Sequence, residues 1–166
     1  MGNTSFKETP PVNYQDVLSI SLRKHRALLI TTLQQTEISV LIRGTIPLAK
    51  EEEVVNHFLS KDTTIPIFLY GTNNNDTKVF TKYEQLIGLG FKNVYVYLGG
   101  LFEWLLLNEI YGTDNFPIQG SELDLLKYAP KRGLIDVGDG VSGDVVGGSG
   151  SSGLGQDTIT QKSLEF

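Results

Sequence analysis

The chain has 166 residues, 40% of them hydrophobic, with 14 basic against 19 acidic side chains and no cysteine. That composition supports one compact domain plus tails, and a formal charge of −5 argues against a nucleic-acid footprint, which needs a basic patch. The lack of cysteine excludes disulfides, thiolate catalysis and cysteine-bound metals, and says nothing about redox compartment.

No N-terminal apolar run resembles a signal peptide, and the apolar stretches are too short to span a bilayer. An intracellular, cytoplasmic protein is therefore expected, in which the sequons at Asn3 and Asn75 carry no weight. Met1-Gly2-Asn3-Thr4-Ser5-Phe6 approaches a myristoylation signal at Gly2, but Phe6 stands where Ser or Thr belongs. A single acyl chain without a polybasic neighbour anchors weakly, so membrane attachment is not expected.

Residues 1–12 read as a flexible segment ending near Pro10-Pro11. A helix is predicted from residue 14 or 15 to about residue 26, with Val17, Leu18, Ile20 and Leu22 near one face. Its end, Arg23-Lys24-His25-Arg26, reads as a cationic helix terminus favoured by the dipole. The run 27–30 is a strand buried on both sides. Short extended pieces follow at 40–42 and 45–48, then a helix at 51–59 with an acidic start.

The centre reads more sharply. Residues 66–70 form a strand of β-favouring side chains that runs into the turn formers Gly71-Thr72-Asn73-Asn74-Asn75-Asp76-Thr77. A helix over about 79–89 stops at Gly90, a C-cap. A strand at 94–97, a Gly99-Gly100 turn and a helix at 101–111 come next. A last helix is predicted at 121–128, N-capped by Ser121. Alternating strands and helices with short connections predict an α/β domain, a mostly parallel central sheet with helices on both faces. From residue 131 a Gly/Ser-rich flexible tail follows, whose last piece, 156–166, is amphiphilic and suits tethering to a protein partner.

In such a sheet, ligands sit beyond the carboxyl ends of the strands, and a strand–loop–helix turn offers backbone amides to an anion. Gly71, Thr72, Asn73, Asn74, Asn75, Asp76 and Thr77 are therefore the candidate ligand-binding loop. Asp76 reads equally as a helix N-cap, and one carboxylate among three amides makes a thin metal site, so no metal or cofactor is expected. His25 and His57 are too isolated to form one. Tyr95 and Tyr97 alternate with Val94 and Val96, which predicts one pair facing inward and one outward. Trp104 and the Leu105-Leu106-Leu107 run read as core covering the sheet.

The stretch Leu89-Gly90-Phe91-Lys92-Asn93-Val94-Tyr95-Val96-Tyr97-Leu98-Gly99-Gly100-Leu101-Phe102-Glu103-Trp104 resembles the end of a rhodanese domain. That family closes its active-site helix with Gly and an aromatic, followed by a strand, a Gly-Gly turn and a Trp on the next helix. Leu41-Ile42-Arg43-Gly44-Thr45-Ile46 is similar to its His-Ile-Pro-Gly-Ala segment, and the likeness extends from about residue 14 to 111. It implies a rhodanese-like domain over 13–130. Residues 99–112 with Phe116-Pro117 resemble a divergent group of rhodanese-like proteins associated with large DNA viruses and some protists.

The departures bear on function. The resemblance places the family's nucleophilic cysteine on Gly71, its Asp and Arg on Thr31 and Leu33, and its His on Leu41. The stretch 71–90 is about two residues longer than the short rhodanese version, which a loop absorbs at modest cost. Neither Thr72 nor Thr77 has an evident base to activate it, so no catalytic residue is assigned. Two functions are expected to compete. One is a catalytically inactive module for protein interaction or structure, with the virion as one setting. The other is an anion- or phosphate-binding enzyme or sensor using loop 71–77 without a cysteine.

Overall fold

The computed structural model describes residues 12–131. The expected tail, with its docking piece at 156–166, and the segment before Val12 lie outside the described residues.

Two sheets form. Strands β1 (Leu28–Thr31), β3 (Ile67–Tyr70) and β4 (Val94–Tyr97) are parallel in the order β1-β3-β4, in register at Thr31, Tyr70 and Tyr97. Val12 bridges Tyr97 on the outer side of β4. A separate antiparallel pair joins β2 (Val40–Ile42) to β5 (Ile118–Gly120). Helices α1 (Tyr14–Ser21) and α4 (Gly100–Tyr111) lie on one face of the parallel sheet, α2 (Leu48–Lys61) and α3 (Lys78–Leu89) on the other.

The two-residue period of the strands explains this division. Leu29, Tyr70 and Tyr97 enter one core with Val17, Ile20, Leu101 and Trp104, while Ile30, Leu69 and Val94 enter a second with Val55, Leu86 and Phe91. Both faces are covered, so every position of β1 is buried and its sequence shows no alternation. Each fully buried aliphatic side chain contributes about 1.5–3 kcal/mol of transfer free energy. Tyr97 enters the α1/α4 core and Tyr95 packs on Phe68 at its edge, while Val94 and Val96 pack in the α2/α3 core; neither pair faces solvent as a set, which corrects the in-and-out expectation.

Three element boundaries depart from the sequence reading. Helix α1 stops at Ser21, not near residue 26, because a Schellman closure intervenes. In it Arg23 N donates to Ile20 O and Lys24 N to Ser19 O, both at 2.8 Å, with Arg23 left-handed at φ 57°. Helix α2 starts at Leu48, behind Pro47, which fixes φ at the helix entrance. The predicted helix 121–128 is instead irregular chain leaving β5 that closes in a 3-10 turn, Leu125–Tyr128, capped by Asp124 and not by Ser121.

Candidate functional site

Strand β3 ends at Tyr70 and delivers Gly71 to the carboxyl edge of the sheet, where the candidate loop turns toward α3. The loop lies against the start of α4. Leu101 N donates to Gly71 O and Phe102 N to Thr72 O, both at 2.9 Å, so loop carbonyls satisfy amides that a helix start leaves open. Gly100, with φ +64°, makes this approach feasible. A Cβ there would stand 2.8 Å from Gly71 O and 2.9 Å from Asn73 N.

Asp76 folds back into the turn. Its Oδ2 accepts from Thr72 N at 2.9 Å and from Thr32 Oγ1 at 3.5 Å, and its Oδ1 accepts from Lys78 N at 3.0 Å. The helix-capping role read from sequence is met in substance: Thr77 is the formal N-cap, but the Asp76 carboxylate receives the Lys78 amide. The same carboxylate fills the space beside Gly71. A Cβ on Gly71 would lie 2.5 Å from Asp76 Oδ2 and 2.8 Å from its carboxyl carbon.

The asparagines are structural too. Asn73 Oδ1 accepts from Asn75 N at 2.9 Å, and Asn73 Nδ2 donates to Tyr128 O at 2.8 Å. Asn75 Nδ2 reaches Lys131 O at 3.5 Å. The loop is thereby tied to the 125–131 segment, while Asn74 and Thr77 are exposed at its rim. Among the described residues no group of three or more His, Asp or Glu side chains converges on a point.

A small cavity of 180 Å³ opens over the loop, lined by Thr36, Glu37, Thr72, Lys127 and Tyr128. Sequence reasoning missed this wall, because a three-residue strand and a single 3-10 turn carry too little periodicity to be read. Beside it Ser39 Oγ lies 3.2 Å from Lys127 Nζ and 2.8 Å from Tyr128 Oη, a spacing that invites a nucleophile-and-base reading. Charge decides against it. Ser39 donates to Glu122 Oε2 at 2.6 Å, and Lys127 donates to the same oxygen at 2.9 Å. The hydrogen bond from Ser39, then that from Lys127, pulls the Glu122 carboxyl down to about 2, and the bond to Glu122 raises the Lys127 amine above its ordinary value. An amine held in its cationic form cannot take a proton from a hydroxyl.

The positions that the family resemblance marks for charged or basic groups are built as packing. Leu33 is 2% exposed and Leu41 7%, both in the α1/α4 core, and Thr31 Oγ1 accepts from Leu33 N at 3.2 Å. Trp104 is fully buried and donates from Nε1 to Pro117 O at 3.2 Å, as a core residue. Leu106 and Ile110 on the same helix are exposed.

Residues 34–107 match the family model described as "Rhodanese-like domain". Solved structures of the Alr3790 protein from Anabaena sp. are similar. One crystal structure shares 17% identity with a TM-score of 0.48, covering 66% of this chain and 91% of that one. The solution structure of its rhodanese-like domain shares 14% identity with a TM-score of 0.47, covering 94% and 98%. No curated protein matches the chain. The viral likeness read from residues 99–117 lies outside what these comparisons show.

Proposed function

We propose that this chain is a non-catalytic rhodanese-like module that serves protein interaction or structure. The observation that carries the reading is the Asp76 carboxylate. It stands where a side chain at position 71 would begin and accepts from the Thr72 and Lys78 amides. Sulfur transfer on this fold needs a thiolate at that position, and the chain has no cysteine. An amide-rich turn that already holds a carboxylate has little left to offer an outside anion. Leucines at positions 33 and 41 remove the charged groups that would orient a substrate.

The second reading, an anion sensor at loop 71–77, is favoured by the turn's exposed rim at Asn74 and Thr77. It requires an anion to compete with Asp76 for the same amides. The interaction role is tested by pull-down from the native source with the full chain and with a version ending at Arg132. A defined partner lost on truncation supports tethering through the tail. A partner retained by both versions supports docking on the domain. No partner for either, with the protein monomeric, counts against the proposal.

A further inference from the structure

Away from loop 71–77, the end of α1 and the end of β2 meet around a surface cleft of 560 Å³. Its lining includes Arg23 and Arg43, with Ser21, Thr45 and Gln119, and no Asp or Glu. This is unusual in a chain with 19 acidic and 14 basic residues, and among the described residues no ion pair involves either arginine. Two hydrogen bonds hold the walls together: Ser21 Oγ donates to Arg43 O at 2.7 Å, and Arg43 N donates to Pro117 O at 3.1 Å. Gly44 turns the backbone at φ +93°, a conformation glycine adopts without strain, beside Ser21 of α1. The Ser21 and Thr45 hydroxyls are committed to Arg43 O and to Ile42 O, so among the lining residues Arg23, Arg43 and Gln119 carry the uncommitted side-chain donors.

Arg23 is also the one described non-glycine residue in the left-handed region. It occupies the Schellman position that glycine fills at least strain, so the fold carries a backbone penalty to keep a side chain there. A left-handed residue that keeps its side chain where glycine would relieve the turn points to a role for that side chain.

We propose that the Arg23/Arg43 cleft binds a phosphoryl group. Two planar forks, each able to give paired N–H bonds to neighbouring oxygens, match a phosphate dianion in charge and geometry, whereas a carboxylate is served by one. The group is either free phosphate or the phosphate of a modified side chain, and the test separates them.

The isotope-labelled full chain is titrated with sodium phosphate against sodium chloride at equal ionic strength and pH, and followed by NMR. Saturable shifts confined to residues around Arg23, Arg43 and Gln119 are expected. Arg43→Gln weakens them about tenfold, as loss of a charge-assisted bond should. Arg23→Gly weakens them similarly while raising Tm, because glycine relieves the turn, so the loss cannot be assigned to misfolding. A second arm uses a phosphoserine peptide and its unmodified form. Tighter binding of the phosphopeptide than of phosphate assigns a phosphorylated side chain, and equal binding assigns free phosphate. Absence of saturable shifts in both arms, or shifts indifferent to both substitutions, overturns the proposal.

Discussion

The Asp76 carboxylate and the missing side chain of Gly71 are complementary: the oxygen Oδ2 lies 2.5 Å from where a Cβ on residue 71 would stand. Each residue is accommodated because of the other. Gly71→Ala should cost about 1–3 kcal/mol by overpacking. In an Asp76→Gly background, which also removes the Asp76 Cβ 2.9 Å from that position, the same change should cost much less, and urea denaturation of the two singles and the double reads the coupling. Additive costs would mean that the two positions do not share this space.

Asp76→Ala by itself leaves the Thr72 and Lys78 amides without their acceptor. Bonds to a charged acceptor are worth about 1.5–3 kcal/mol. Asp76→Asn, which keeps one oxygen, should lose less than Asp76→Ala, and amide hydrogen exchange at Thr72 should speed up in both.

Tyr70 and Tyr97 sit side by side in register on β3 and β4, both buried, with different hydroxyl fates. Tyr70 Oη pairs with Thr45 Oγ1 at 2.7 Å, whereas Tyr97 Oη makes no well-formed hydrogen bond and has only the Glu103 carboxylate near it. Burial, then the charge and hydrogen-bonding pull of Glu103, pushes the Tyr97 phenol well above its ordinary range, so the group stays neutral. Tyr70→Phe should destabilise by about 1 kcal/mol, and Tyr97→Phe should be neutral or stabilising. Thermal unfolding of the two variants separates these signs.

Glu122 supplies a pH prediction. Its carboxyl is lowered from 4.5 to about 2 by Ser39 first, then Lys127. A depressed folded value means that its stabilising contribution is complete above the ordinary 4.5 and disappears as pH falls toward 2. Acid titration of Glu122→Gln should therefore show a flatter loss of stability in that window than the parent, with the two converging at the acid end. Ser39→Ala should raise the Glu122 titration midpoint, read by carboxyl NMR.

Much of the fold was legible because the strands carry strong local signals. β3 and β4 are runs of β-favouring residues followed by Gly71 and by the Gly99-Gly100 turn, and Gly90, at φ 110°, ends α3 as expected. The loop's position followed from the strand–turn–helix order. Its occupancy did not, because nothing in a row of Asn and Asp residues says whether a carboxylate points outward or back at Thr72. The same limit hid β5 and the 125–128 turn: their pairing partners, Val40 to Ile42 and Asn73, lie far off in sequence. The early end of α1 was missed because the stop signal is Arg23, a residue type that normally continues a helix.

The central claim is that loop 71–77 holds its own carboxylate in place of substrate. Titrating the labelled chain with thiosulfate while following the Thr72 and Lys78 amide signals tests it most directly. The account predicts that both signals stay fixed in the parent chain and that thiosulfate is not turned over. Saturable movement of those two signals, accompanied by turnover, would contradict it.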